Sequence, residues 1–453
     1  MAKRLIAAGW GVRAWLLLAS MGAAMGAALC AVVAAQGQMP DAPAPTLIPQ
    51  ERVLPEQLAE KPSQPPACQI PAAPLGFSSP GVINLGLRNS VVSLDFLDED
   101  RLLFTFRVPG LVHRQAVEGE ERQIRAVVLK LPAGTVEAEA LWTVHDRQRY
   151  LWALSGGRCL LRDRNNLEMG DATLELKPFL RFPGPLLWLE MDPSQQFLVT
   201  NSREPAAAGG KADDADSQAA QSGYGQKSDG ESDLEVRILR RDSGQVMLVS
   251  RARSTVHLPI NSDGYLESLR GMGNEWLLNL KYFSGGSKIL GQVESNCAPL
   301  FDFLSQREVL VTTCTPLGAG KLVAMTTEGR RLWDAETSDA TMWPLVVRSP
   351  DGSRLAREVL TVSHPVRAGS TIDQGDILGQ LVEVLDAADG KVVLKTAASP
   401  ILDGGGNVAI SPSGRRVAVL NSGAIQVFEL PMPAPIMRME PSLLAPAAHP
   451  PGR

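Results

Sequence analysis

The chain has 453 residues, 44% of them hydrophobic and 21% charged, with a formal net charge of −5. That length suits one large repeat domain or two to three ordinary ones, and the apolar content is enough for a packed core. No sustained basic stripe interrupts the sequence, which argues against a nucleic-acid binder.

At the N-terminus, Lys3, Arg4 and Arg13 accompany an apolar run, Trp15–Val33, and Val33-Ala34-Ala35 offers small residues before Gln36. Residues 1–35 therefore read as a signal peptide or, if uncleaved, as a membrane anchor, since the run is near bilayer-spanning length. Cys30 follows Leu29, where lipidation wants a small residue. Either reading places the rest of the chain outside the cytoplasm: secreted, periplasmic or envelope-attached. Residues 36–79 carry Pro40, Pro43, Pro45, Pro49, Pro55, Pro62, Pro65, Pro66, Pro71 and Pro74. Such a stretch cannot bury enough apolar surface to order itself and reads as a Pro-rich linker.

From about position 80 to 432 the sequence alternates apolar and polar residues between turn residues, the pattern of antiparallel meanders. Val82–Leu85 is a lone short strand. A first unit has Val91–Leu97, Arg101–Val108, Ile124–Lys130 and Glu137–Thr143. A second has Tyr150–Ser155, Cys159–Asp163 and Ala172–Phe179. A third opens with Leu186–Met191 and Phe197–Asn201 and resumes at Leu234–Leu239 and Gln245–Arg251. Between its halves, residues 205–233 are rich in Ala, Gly, Ser and Asp, with six acids against two lysines, and read as a disordered acidic insertion. A fourth unit covers His257 to Asn296, with Trp276–Tyr282 and Lys288–Val293 as its clearest strands. The fifth runs from Pro299 to Asp334 and the sixth from Met342 to Ala398. The seventh is the clearest: Asn407–Ser411, Arg415–Leu420 and Ala424–Glu429. Residues 433–453 form a Pro/Ala-rich tail.

Two turns recur. Asp192-Pro193-Ser194, Ser349-Pro350-Asp351-Gly352 and Ser411-Pro412-Ser413-Gly414 follow the first strand of a unit. Asp242-Ser243-Gly244, Thr327-Glu328-Gly329 and Ala388-Asp389-Gly390 precede the last. Pro presets φ, Asp or Ser bonds nearby backbone, and Gly accepts φ > 0. On the turns at Ser349–Gly352 and Ser411–Gly414 and the hairpin at Asp386–Lys391, the chain resembles the WD-repeat-like β-propeller superfamily. The resemblance lies in blade grammar: the third strands lack their terminal Trp-Asp, and Trp333-Asp334 falls after the turn. It implies an all-β fold, a β-propeller of seven four-stranded blades, with six or eight blades as alternatives. Pairing the N-terminal strand Val82–Leu85 with the three-stranded last unit would close the ring and remove exposed edges.

No nucleophile elbow, phosphate loop or dinucleotide fingerprint is present, and no catalytic, cofactor-binding or metal-binding constellation is legible. His113, His145, His257, His364 and His449 are dispersed and read as structural or surface residues. Asp98-Glu99-Asp100 and Asp213, Asp214 and Asp216 invite calcium, but a solvated hairpin tip and an acidic loop account for them better. Trp142, Trp152, Trp188, Trp276, Trp333 and Trp343 read as inter-blade core. Cys297 and Cys314 flank a predicted hairpin, Leu300–Ser305 and Glu308–Thr313. Antiparallel pairing would bring them nearly opposite, as a disulfide or as two separate thiols. The functional expectation is an exported, non-catalytic β-propeller scaffold that needs no cofactor. It would bind a protein or envelope macromolecule, not nucleic acid, through rim loops or channel, and would touch a membrane only through an uncleaved N-terminal segment. The alternative is a propeller enzyme, a lactonase-like hydrolase or quinoprotein-like dehydrogenase, with a metal or quinone at the channel mouth.

Overall fold

A computed structural model describes residues 62–79, 92–108, 122–145, 149–203, 234–315, 318–336, 345–365, 372–402 and 405–433. The strand Val82–Leu85, the insertion at 205–233, His113, His449 and Trp343 lie outside the described residues, as do the stretches 1–35 and 434–453.

The alternating segments form seven antiparallel sheets arranged as a seven-bladed propeller. Strand β1 (Cys68–Pro71) belongs to the last blade. Blade 1 is β2–β5 (Val92–Phe96, Arg101–Arg107, Arg122–Lys130, Thr135–Val144). Blade 2 is β6–β9 (Leu151–Leu154, Arg158–Asp163, Asn166–Asp171, Lys177–Arg181). Blade 3 is β10–β13 (Leu186–Met191, Phe197–Arg203, Leu234–Arg240, Val246–Ala252). Blade 4 is β14–β16 (Gly264–Arg270, Glu275–Tyr282, Ser287–Glu294). Blade 5 is β17–β20 (Leu300–Ser305, Glu308–Thr315, Gly318–Thr326, Arg331–Glu336). Blade 6 is β21–β24 (Leu345–Arg348, Arg354–Val362, Ile377–Asp386, Val392–Ala398), and blade 7 is β25–β27 (Val408–Ile410, Arg416–Asn421, Ala424–Glu429) with β1 outermost. The first strands of successive blades touch, β2 with both β6 and β25, and β21 with β25, so they form the inner wall.

Three expectations are corrected. The ring closes as expected in kind, but with Cys68–Pro71 against Ala424–Val427, not with Val82–Leu85. That strand sits inside the stretch read as linker. Proline is tolerated there because an outermost strand has one unpaired edge. Ile70 secures it by burial beside Leu420 and Ile425. Blade 2 has four strands, not three: Ala172–Leu176 is a link between β8 and β9, where Asp171 Oδ1 accepts the Thr173 N–H at 2.8 Å and Leu174 turns at φ 65°. Blade 4 has three strands, its inner position reduced to the bridge between Ile260 and Tyr265. The preceding backbone is taken by blade 3 instead. Asn201 accepts from Val256 N at 2.9 Å and donates to Val256 O at 3.1 Å, while Glu190 accepts from Leu258 N at 3.1 Å.

Every seam between neighbouring blades holds its own apolar cluster, the last one joining blade 7 to blade 1 around Phe104, Phe106 and Ile425. Burying such side chains contributes about 1.5–3 kcal/mol each. The recurrent turns serve these seams. Their first residue caps its own hairpin: Asp192 Oδ1 accepts Phe197 N at 2.7 Å, Ser349 Oγ accepts Arg354 N at 2.9 Å and Ser411 Oγ accepts Arg416 N at 3.1 Å. Asn261 does the same for Gly264 at 2.9 Å, a turn of this type not read from the sequence. Their glycines press on the preceding blade. A Cβ at Gly352 (φ +75°) would stand 2.6 Å from Leu304 O, and one at Gly329 (φ +93°) 2.1 Å from Leu290 O. The acidic tip of blade 1 is likewise engaged: Glu99 accepts Ser413 N at 2.6 Å, and Arg416 reaches Asp100 at 3.0 Å.

Gly352→Ala is expected to lower stability by about 2–4 kcal/mol, combining left-handed strain with backbone overlap. Gly423→Ala, with φ +75° and open space around its Cβ, should lower it by only about 1 kcal/mol. Equal chemical-denaturation losses for the two variants would contradict the seam role.

A second expectation concerns Glu358, buried in β22 with Gln380 as its hydrogen-bond partner at 2.8 Å and its Oε1 unpartnered. Burial pushes its carboxyl up to about 8, against the lowering effect of Gln380. A carboxyl with a raised native pKa loses stability as pH rises from its unfolded value, near 4.5, through about 8. Glu358→Gln should therefore raise the melting temperature at pH 7, by about 1–3 kcal/mol of stability, and leave it unchanged at pH 4. A variant no more stable than the parent at pH 8 would refute this.

Candidate functional site

The inner wall carries charged side chains in alternation around the ring. Asp95 on β2, Glu190 on β10 and Asp302 on β17 come from blades 1, 3 and 5. Arg149 just before β6, His257 ahead of the Ile260 bridge and Arg348 at the end of β21 come from blades 2, 4 and 6. Each acid feels the cation of a neighbouring blade: Asp95 that of Arg149, Glu190 and Asp302 that of His257, and Asp302 also that of Arg348. Blade 7 contributes Val408-Ala409-Ile410 and no charge. An alternating ring of seven charges would set two like charges side by side, which is unfavourable at short range. One neutral blade removes that conflict.

His257 is the most tightly held member. Its Nδ1 donates to Glu190 Oε1, its Nε2 donates to Phe301 O at 2.9 Å, and Asp302 Oδ1 lies 3.7 Å from Nε2. Both ring nitrogens face acceptors, which only the imidazolium satisfies. Burial opposes that charge, but the Glu190 hydrogen bond and the fields of Glu190 and Asp302 prevail and push the pKa up to about 9. Glu190 is engaged in turn, accepting also from Trp188 Nε1 and Leu258 N. Asp95 is pushed by burial to about 6, against Arg149, the Ser93 hydroxyl and the Ala153 backbone. Burial also raises Asp302, with Glu190 adding to it and His257 and Arg348 opposing. Arg348 is lowered by burial and by Arg149, with Asp302 and Asp192 acting the other way.

At the end where first and second strands turn, polar side chains cross the channel. Arg348 Nη2 reaches from blade 6 to Met191 O of blade 3 at 3.4 Å, and Gln306 Nε2 from blade 5 to Asp192 Oδ2 of blade 3 at 2.9 Å. Asn261 Nδ2 and Ser262 N hold Gln306 at 2.9 and 2.7 Å. Hydrogen bonds therefore link non-adjacent blades at this end.

Among the residues singled out from the sequence, Cys297 and Cys314 are bonded, with Cα atoms 5.9 Å apart. Cys314 lines a cleft of about 630 Å³ between blades 4 and 5. Cys68 and Cys159 are free thiols. Trp142, Trp152 and Trp333 fill seams, and Trp276 packs against one. Trp188 instead donates to Glu190 at the channel. His145 pairs with Asp163 at 2.9 Å, away from the channel set. Among the described residues no three His, Cys, Asp or Glu side chains group as metal ligands. The sequence reading missed the belt because its members span blades 1 to 6. A signal existed: one charged residue inside an apolar first strand, as in VSLDF, LLWLEM, LFDFLS and LVVR.

No protein-family model matches this sequence, and no curated protein matches it. Among solved structures, it is similar to an acylaminoacyl peptidase from Pyrococcus horikoshii (9% identity, TM-score 0.45, covering 73% of this chain and 48% of that one). It is also similar to a chain of a mitotic checkpoint complex (12% identity, TM-score 0.43, 88% and 98% covered). A third is the β-propeller domain of the Trilobed protease from Pyrococcus furiosus (9% identity, TM-score 0.43, 78% and 98% covered). The chain spans about half the length of the P. horikoshii peptidase chains it matches. These likenesses concern the fold and say nothing of activity.

The belt sets a pH dependence. A histidine whose native pKa is raised contributes stability fully below its unfolded value, near 6.5, and loses it as pH rises through about 9. His257→Gln should therefore destabilise the protein at pH 6, on the order of 1 kcal/mol after allowing for partial solvent screening. The gap from the parent should close by pH 10. A gap that is constant with pH would show that His257 acts by packing alone.

Proposed function

We propose that this protein is an exported, non-catalytic β-propeller that binds an extended segment of a partner protein along the outer edge of blade 3. The observation that carries this reading is β13. Among the described residues it pairs on one side only, with β12, and it exposes Val246, Met247 and Val249. An unpaired edge with apolar side chains is a template for strand addition. Beside it, Met247 lines a cleft of about 420 Å³ between blades 3 and 4 with Phe197, Tyr282, Phe283 and Arg240. Its floor is ordered: Phe197 and Phe283 lie 6.0 Å apart, and the Arg240 guanidinium sits 5.5 Å from the Phe197 ring. A cleft of this kind accepts one apolar or aromatic anchor while backbone hydrogen bonds run along the strand. Arg240 and Asp263 supply a polar rim.

Export is supported by the charged, apolar and small-residue order of the first 35 residues and by the Cys297–Cys314 bond, which suits an oxidising compartment. The enzyme alternative looks for channel carboxylates converging on one reacting centre. Here Asp95, Glu190 and Asp302 are spread over alternate blades, each beside a cation, which favours the binding reading.

The test is selection of extended peptides on the purified protein, followed by fluorescence anisotropy. Selected peptides should carry an aromatic or large aliphatic anchor. Val249→Lys and Phe283→Ala should each weaken binding about tenfold or more with little change in melting temperature for Val249→Lys. Peptides that bind Val249→Lys as well as the parent would move the site elsewhere, and an absence of enrichment would remove the reading.

A further inference from the structure

We propose that the segment docked along blade 3 is the C-terminal end of its protein. It runs antiparallel to β13, its last side chain enters the cleft between blades 3 and 4, and its terminal carboxylate meets the guanidinium of Arg240. This rests on the reading of that edge as the docking site and adds the direction and the chain end. Direction follows from the strand. The pairs within blade 3 are all antiparallel, and so is the pairing of β1, the outermost strand that blade 7 takes from a distant part of the chain. Antiparallel pairing is also slightly more stable per residue. β13 starts at a hairpin in which Arg240 N donates to Gln245 O at 2.8 Å, and it runs from Val246 to Ala252. A strand added antiparallel to it therefore finishes beside Val246. Past that point the blade turns back through Asp242-Ser243-Gly244, and the edge stops. A chain end fits there.

The cleft opens at the same place, and a bulge points into it. Leu248 pairs with Ile238 and Val246 with Leu239, so Met247 has no partner across the hairpin. A bulge re-aims its side chain, and Met247 lines the cleft with Phe197, Tyr282 and Phe283. Arg240 lines it too, placed over the ring of Phe197, its register partner on β11. Among the described residues the Arg240 guanidinium has no hydrogen bond or ion pair. The ring takes its face, and the N–H donors along its edge are left for an acceptor in their own plane, the geometry a carboxylate supplies. Asp263, the acid that lines the cleft, does not fill this role: it accepts from Ser262 Oγ at 3.1 Å and forms no ion pair with Arg240. The terminal carboxylate of an antiparallel strand arrives where that acceptor is missing.

The experiment uses the full chain and the tightest peptide selected on it, resynthesised with an N-terminal fluorophore in three forms. One has a free carboxylate directly after the anchor residue, one a carboxamide there, and one two glycines between anchor and carboxylate. In fluorescence anisotropy the first form should bind about tenfold or more tightly than the other two. This comparison is made on the unaltered protein, so it does not depend on how a variant folds. Arg240→Gln should reduce affinity for the free acid to that of the carboxamide and leave the carboxamide unchanged. Equal affinities of free acid and carboxamide, with both still weakened by Val249→Lys, would overturn the chain-end inference and leave the edge reading standing. Equal losses for both forms in Arg240→Gln would also overturn it, since Arg240 would then act only through the Phe197 ring. Peptides indifferent to Val249→Lys, or no selected peptide at all, would remove the edge reading and this inference with it.

Discussion

The ring depends on how closely one blade can approach the next. At the first turn of blade 6 and the last turn of blade 5, backbone of the preceding blade stands where a side chain would begin, at Leu304 O beside Gly352 and Leu290 O beside Gly329. That approach lets Leu266, Leu278, Val309 and Val311 meet across one seam and Leu310, Leu322 and Leu355 across another. A blade alone has two apolar faces and no way to bury either, so stability arises between blades. Closure adds the last seam. Strand β1 brings Ile70 into the cluster of blades 7 and 1, and Arg416 ties the tip of blade 1 to the same joint.

The channel obeys a second constraint, set by charge. Its first strands crowd together, and burial there raises the carboxyls of Asp95 and Asp302 and lowers Arg149 and Arg348. Alternating signs from blade to blade answer this, since each charged group has an opposite charge on a neighbouring blade. Blade 4 shows the two demands meeting. Its first strand gives up regular pairing, and Glu190 and Asn201 of blade 3 take over the freed backbone groups. The same shift delivers His257 into the belt. The irregular blade is thus the one at which sheet pairing yields to side-chain chemistry.

Much of the propeller could be read from local pattern. Strand periodicity and turn residues act over two to six positions, so the meanders and their order follow from the residues themselves, as at Ala424–Glu429, where expectation and structure coincide. Errors fell where local rules compete. Proline around Cys68–Pro71 spoke for a tether, yet an outermost strand tolerates it. In blade 2 the Asp171–Thr173 turn falls at the start of the expected strand Ala172–Phe179, so that stretch opens as a link, while β8 before it was not read as a strand.

The belt, the hydrogen bonds between non-adjacent blades and the cleft between blades 3 and 4 were decided by tertiary structure. Arg348 and Met191 are 157 positions apart, and Glu190 and His257 are 67 apart. No periodicity links such pairs, because what brings them together is the closing of a ring whose geometry is set by all seven seams at once. The sequence by itself determined that this chain would make meanders, where their turns would fall, and that a charged residue would interrupt several apolar first strands. Only the closed ring determined that those charges face one another, because electrostatic pairing depends on distance in space and the sequence records distance along the chain.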